Sequence, residues 1–151
     1  VFEWITKAGV STTYLIVSFG LFIFFRWIRQ KRRYADRALL FFSNVALSGI
    51  VTNIVKFLVG RFRPKMLIER GLYGFEPFHV GYEFNSFPSG HATTVFAIAV
   101  TCSIFWPKYR ILFFIFATIV ALSRLVLNAH YLSDVLAGAC IGIATAIVME
   151  R

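Results

Sequence analysis

A chain of 151 residues that is 58% hydrophobic and only 15% charged departs from soluble domains, which carry about a quarter charged residues, and belongs in a bilayer. The formal net charge of +9 raises nucleic acid as a partner, but the cations gather at the ends of apolar runs, where lipid headgroups and phosphates lie, and form no solvated stripe. The length suits one compact helical bundle over residues 1–151 rather than two domains.

Five stretches are apolar over enough residues to cross a hydrocarbon core, at about 10–28, 38–60, 90–106, 109–127 and 134–150, where a span needs roughly 20 residues and about 17 at the least. Helix is the form expected, because in lipid each backbone polar group must be satisfied within its own segment. The runs also lack the alternation of a membrane barrel strand. The expected fold is an all-α, polytopic transmembrane helix bundle. The chain begins at Val1 rather than methionine, and no cleavable signal peptide is visible: the first apolar run has its cations after it, not before it.

After the first span, Arg26, Arg29, Lys31, Arg32, Arg33 and Arg37 crowd a short segment, which argues for the cytoplasmic side. The second span carries Asn44, Ser48, Thr52 and Lys56 at intervals of four, so they share one helix face. Polar groups at membrane depth face a bundle interior, and the stripe ends at Lys56 on the outer rim; hydrogen bonding between helices accounts equally well for Asn44 and Ser48. Next comes the loop 61–89. Pro64 biases Arg63 away from helix, which suits a cation held at the end of a span. With Gly71, Gly74, Pro77 and Gly81 the loop reads as structureless, of a length that is usually functional, as a lid or a lipid headgroup contact. His79, Glu69, Glu76 and Glu83 read as solvated.

The third span opens with Pro88-Ser89-Gly90-His91. A helix N-terminus exposes unpaired N–H groups and binds anions. Ser89 is a cap or a phosphate donor, and Gly90 lets backbone approach a phosphate closely. The basic link Trp106-Pro107-Lys108-Tyr109-Arg110 leads to the fourth span, which ends in Ser123-Arg124. Trp27, Trp106 and Tyr109 fall at span ends, as an aromatic belt requires. The link 128–133 holds His130, one helical turn before Asp134. In the last span Gly138 and Gly142 have the spacing that lets helices approach closely, here for packing within the bundle rather than dimerisation. Cys102 and Cys140 lie at depths about 10 Å apart by helical rise, which disfavours a disulfide, and read as small buried packing residues.

Counting crossings from the basic cytoplasmic segment puts residues 1–9, the loop 61–89 and the link 128–133 on the extracytoplasmic face. The motifs Lys56-x6-Arg63-Pro64, Pro88-Ser89-Gly90-His91 and Ser123-Arg124-x5-His130-x3-Asp134 all end there.

Together they supply what cleavage of a phosphate ester needs. Phosphoryl transfer is mostly positioning and stabilisation of charge on the equatorial oxygens, and Lys56, Arg63 and Arg124 offer three cations. A carboxylate holding one imidazole N–H fixes the tautomer and frees the other nitrogen to attack, so His130 beside Asp134 is the candidate nucleophile, forming a phosphohistidine. His91 is the candidate general acid for the leaving alkoxide, and then the base for water. No His-Glu-x-x-His, no tight carboxylate cluster and no P-loop pattern occurs, so neither a metal nor another cofactor is expected. The substrate expected in so apolar a chain is a phosphate or pyrophosphate carried on a membrane lipid.

The three motifs resemble, with no substitution at any signature position, the three-part signature of the type-2 phosphatidic acid phosphatase superfamily. The resemblance implies metal-independent phosphate removal through a phosphohistidine, with His130 as nucleophile, Asp134 as its orienting partner, His91 as acid, and Lys56, Arg63, Ser89, Gly90 and Arg124 as the phosphate pocket. Soluble acid phosphatases and vanadium haloperoxidases share similar motifs, but the apolar spans point to the integral lipid phosphatase branch. That branch typically has six spans, so the expectation is a further span upstream of Val1, in a bacterial inner membrane. Its substrates include phosphatidylglycerol phosphate, undecaprenyl pyrophosphate and lipid A phosphates, among which the signature does not discriminate. Two other readings compete. A lipid-to-lipid phosphotransferase would use the same phosphohistidine, and a non-enzymatic lipid-phosphate binder or transporter would need the cations but not two histidines and a paired Asp134.

Overall fold

The computed structural model describes residues Phe2–Glu150. Seven α-helices are described: α1 (Phe2–Lys7), α2 (Ser11–Ile23), α3 (Arg32–Val59), α4 (Pro64–Arg70), α5 (Gly90–Phe105), α6 (Arg110–Val126) and α7 (Leu132–Glu150). A π-helical turn at Phe24–Ile28 extends α2, and a 3-10 turn at Pro107–Tyr109 leads into α6. Among the described residues there is no strand, only an isolated bridge between Arg61 and Phe75.

The apolar segments correspond to Ser11–Ile28, Arg32–Val59, Pro107–Val126 and Leu132–Glu150, each long and apolar enough to cross a membrane, and to the shorter Gly90–Phe105 of 16 residues. α3 starts six residues earlier than the hydrophobic run at 38, because a helix need not stop where the apolar run does, and Arg32, Arg33 and Arg37 occupy its first turns. The short α5 is the axis of the bundle, packing against α3, α6 and α7. Its buried residues include Ala92, Thr93, Thr94, Val95, Ala97 and Ala99. Small side chains there allow three neighbours at once.

Polarity is arranged inside out. Asn44, Ser48 and Thr52 are buried, whereas Ile16, Val17, Ile111, Leu112, Leu136 and Val148 face outward, as lipid-facing positions do. Asn44 donates to Thr101 at 2.8 Å and Thr52 to Thr93 at 3.1 Å, joining α3 to α5, while Ser48 bonds the Val45 carbonyl within its own helix at 3.0 Å. Helix-to-helix hydrogen bonding is therefore the role of Asn44, and the stripe does point inward. Gly138 and Gly142 set the approach of α7 to α5. A Cβ at Gly138 would lie 2.5 Å from the Ser89 carbonyl oxygen, and one at Gly142 2.3 Å from that of Thr93.

Two expectations fail here. Cys140 is exposed on the outer side of α7, and Cys102 is half-buried, so they are not both interior packing residues; both are free thiols. The outer loop is not structureless either. It contains α4, with Arg63 as its extended N-cap (φ −74°, ψ 152°) and Pro64 opening the helix, and backbone hydrogen bonds tie it down. Glu76 donates to the Gly60 carbonyl at 2.8 Å, Phe78 to Phe57 at 2.8 Å, and Arg63 to Glu83 at 3.1 Å. Gly60 has φ +57° and abuts the Glu76 carbonyl, leaving no room for a side chain. His79, Glu69, Glu76 and Glu83 pair only at the surface, as in the Arg70–Glu83 bridge of 2.9 Å.

Candidate active site

The C-terminal end of α3, the N-terminus of α5, the end of α6 and the start of α7 meet at one end of the bundle, together with the loop that carries α4. Contacts between distant segments define the meeting point. Arg63 reaches the Ala129 carbonyl at 3.3 Å, and the Ser89 N–H donates to the Asp134 carbonyl at 2.9 Å. The basic segment after α2 and the Pro107–Tyr109 turn lie at the other end, where Arg37 stands over the Phe105 ring at 5.3 Å. All eight residues singled out from the motifs, namely Lys56, Arg63, Ser89, Gly90, His91, Arg124, His130 and Asp134, are thus brought to one end.

Each is held by something local. Lys56 sits on the last turn of α3 and donates to the Asn85 carbonyl at 2.6 Å. Arg63 donates through Nε to the Tyr82 carbonyl at 2.8 Å and through Nη2 to the Asn85 carbonyl at 3.4 Å, with its guanidinium 3.9 Å from the Tyr82 ring centroid. Burial lowers the Arg63 pKa from its ordinary value, and Tyr82 and Asp134 oppose that shift. Arg124 donates to Thr6 in α1 at 2.6 Å, while its buried Nε has no partner among the described residues. Ser89 caps α5, its hydroxyl accepting from the Ala92 N–H at 3.5 Å. Gly90 starts the helix, with Lys56 on one side of it. His91, on the first turn, lies in the field of Arg124, His130, Arg63 and Lys56. Gly9, in the turn between α1 and α2, packs on the His91 ring so closely that a Cβ there would fall 2.6 Å from Cδ2.

His130 is 4% exposed. Its Nδ1 lies 2.7 Å from the Ser86 carbonyl oxygen. A carbonyl only accepts, so Nδ1 carries the proton and Nε2 of the neutral ring keeps its lone pair. Burial pulls the His130 pKa down to about 4; Asp134 offsets part of this, and the cations Arg63, Lys56 and Arg124 add to it. The ring is therefore neutral at neutral pH, which is the nucleophilic form.

The geometry differs from the sequence expectation at Asp134. Its carboxylate stands 3.8 Å from His130 Nδ1, beyond a hydrogen bond. Oδ1 instead accepts from Arg61 Nη1 at 2.6 Å, while Oδ2 accepts from the Ser86 hydroxyl and from the Tyr131 N–H at 2.9 Å. Asp134 fixes Ser86, and the backbone of Ser86 fixes the imidazole. Arg61 also donates to Ser133 at 2.7 Å and lies 4.1 Å from the Tyr131 ring centroid. Arg61 and Ser86 were not among the residues singled out from the sequence. Arg61 differs from other rim cations only in lying two residues before Arg63, and Ser86 carries no motif at all.

Among the described residues no group of three or more His, Cys, Asp or Glu side chains is placed to hold a metal ion. Lys56, Arg61, Arg63 and Arg124 bring positive charge to this end, which fits an anion.

The family model of the PAP2 superfamily matches residues 37–151. The chain is 40% identical over 114 residues to a lipid A 1-phosphatase of Rhizobium etli, covering 73% of this chain and 49% of that protein. It is 41% identical over 118 residues to a lipid A 1-phosphatase of Rhizobium johnstonii, covering 76% and 48%. The chain thus spans about half the length of these curated relatives. The crystal structure of Aquifex aeolicus LpxE superposes with a TM-score of 0.64 at 23% identity, over 99% of this chain and 92% of that one, and shares its fold. With the family signature intact, its residues gathered at one end of the bundle and the family match running over most of the chain, this protein belongs to the PAP2 superfamily.

Proposed function

We propose that the chain is one integral-membrane lipid phosphatase domain that removes a phosphate from a lipid headgroup through a phosphohistidine on His130, without a metal. The observation that carries this reading is the His130 ring: buried, neutral, held at Nδ1 by the Ser86 carbonyl, and surrounded by the charges of Arg63, Lys56 and Arg124. A ring fixed in this way presents Nε2 as a nucleophile to an anion that those cations attract.

The chemistry then runs in two steps. Nε2 of His130 attacks phosphorus, the bond to the lipid oxygen breaks, and His91, protonated once the phosphate anion is bound beside it, gives that proton to the leaving oxygen. Lys56, Arg63, Arg124 and the N–H groups at the Ser89-Gly90 helix start stabilise the charge on the equatorial oxygens. Water, losing a proton to His91, then attacks the phosphohistidine, inorganic phosphate leaves, and His130 returns to its starting form. The substrate favoured is a phosphate of lipid A, which the names of the two Rhizobium relatives support. The basic segment Arg26–Arg37 supports a cytoplasmic position for the opposite end, and so an active site on the periplasmic side of the inner membrane, with the short α5 crossing beside the four longer apolar helices.

The test is phosphate release from lipid A, phosphatidylglycerol phosphate, phosphatidic acid and undecaprenyl pyrophosphate in detergent, with His130→Ala as the blank. Release that requires His130 and survives EDTA is the expected result. Release by His130→Ala at the normal rate would remove the nucleophile, and loss in EDTA restored by a divalent ion would remove the metal-free mechanism.

A further inference from the structure

A cavity of about 180 Å³ opens beside His91 and Lys56 and runs along α3, between α2 and α5, as far as Gly49. The seven residues from Gly49 to Lys56 correspond to about 10 Å along the helix axis, so the cavity leads from the phosphate-binding end toward the bilayer interior. It has room for far more than a water, whose share of liquid volume is about 30 Å³. Whatever is bonded to the phosphate and continues into the membrane has this space beside it.

Part of the cavity wall is polar, on helices that are otherwise apolar. Ser11, Asn53 and Thr94 border it together with Lys56 and His91. Thr94 is 4% exposed. Thr93 and Thr101 on the same helix donate to the carbonyls of Ser89 and Ala97 at 3.1 and 2.9 Å. Thr94, Asn53 and Ser11 instead bring two hydroxyls and an amide to the edge of the cavity. Asn53 is exposed on a helix whose neighbouring outward positions, Ile50, Ile54 and Phe57, are apolar. Hydroxyl and amide side chains beside the phosphate-binding end offer a bound lipid hydrogen-bond partners that hydrocarbon cannot use.

We propose that this cavity is a specificity subsite for the polar unit that carries the phosphate. It takes hydroxyls and acyl carbonyls directly next to the phosphate, as in an acylated sugar or an acylated glycerol, and disfavours an isoprenoid chain joined straight to phosphate. Asn53 has both donors and an acceptor, and the two hydroxyls can do either. An isoprenoid would set hydrocarbon against all three and leave them unpaired. Sites built to hydrogen-bond a substrate reject analogues that lack the group for this reason. The inference rests on the phosphatase reading and narrows its substrate class.

The test compares kcat/KM of the full chain, Asn53→Leu and Thr94→Val on three lipids in one detergent: a phosphorylated acyl-glucosamine lipid, phosphatidic acid and farnesyl phosphate. Each variant is expected to lower the ratio of acyl-bearing substrate to farnesyl phosphate by roughly fivefold to tenfold, the loss of one or two hydrogen bonds. The acyl-bearing lipid whose ratio moves identifies the sugar or the glycerol as the unit bound. Farnesyl phosphate turnover reports on the fold of each variant. Equal change on all three lipids, no change, or a shift in the opposite sense overturns the subsite. No His130-dependent release from any of the three by the unaltered chain overturns the phosphatase reading itself, and the subsite with it.

Discussion

Arg61 and Asp134, 73 residues apart in sequence, form an ion pair of 2.6 Å in which the carboxylate is fully buried and the guanidinium nearly so. The pair joins the loop after α3 to the first turn of α7. It determines what Asp134 does: with Oδ1 on Arg61 and Oδ2 on Ser86 and Tyr131, the carboxylate acts on His130 through Ser86 rather than by direct contact.

Removing Arg61 alone strands a buried carboxylate. Arg61→Met is expected to destabilise the protein by about 3–5 kcal/mol, read as a lowered melting temperature in detergent. Arg61→Met combined with Asp134→Asn should recover part of that loss, because no unpaired charge remains. A double variant as unstable as the sum of the two singles would contradict the pairing.

Asp134→Asn should slow turnover less than His130→Ala does. A carboxylate bonded directly to a catalytic imidazole is worth about 10⁴ in kcat in the serine protease triad. Here the Ser86 carbonyl already fixes the tautomer, so the expected loss in kcat is about 10- to 100-fold, with little change in KM. A loss as complete as that of His130→Ala would mean that the carboxylate moves onto the ring during turnover.

The pH profile follows from His130. With a pKa of about 4 the ring takes up a proton only in acid, so under the proposed mechanism the acid limb of kcat/KM attributable to it should fall near pH 4 rather than near 6.5. The sign for stability is the same. The unfolded ring takes up a proton that the folded site resists, so its contribution to stability is complete above about pH 6.5 and is lost as pH falls through the folded value near 4. Thermal unfolding measured between pH 7 and 4 checks this against His130→Ala, which should lack that component.

Gly142→Ala would place a methyl 2.3 Å from the Thr93 carbonyl oxygen. Overpacking of this kind costs about 1–3 kcal/mol, so the melting temperature should fall. Gly138→Ala presses on the Ser89 carbonyl instead. It should lower activity as well, since Ser89 opens the helix that presents His91. Activity and melting temperature measured together separate the two variants.

Much of this was legible in the sequence because it is local. The positions of α2, α3, α6 and α7 follow from runs of apolar residues, and the inward face of α3 follows from the spacing of Asn44, Ser48 and Thr52. Ser89 as the cap of α5 and Arg63 as an extended residue before Pro64 follow from chain chemistry within a few residues. The helix α4 was missed because its residues carry glycines and prolines on either side and no long apolar face. Cys140 was misplaced because, in a bilayer, an apolar run does not say which of its faces meets lipid and which meets protein.

The sequence alone determined the helical, membrane-embedded class of the fold, the set of cations and histidines, and their gathering at one end of the bundle, because periodicity and alternate crossings need no knowledge of packing. The tertiary structure alone decided which atoms meet: Ser86 against His130 over 44 residues, Arg61 against Asp134, and the cavity edged by Ser11, Asn53 and Thr94. These depend on how closely α7 approaches α5 and on how the loop after α3 folds back. Both are products of side-chain packing between distant segments, which no spacing along the chain encodes.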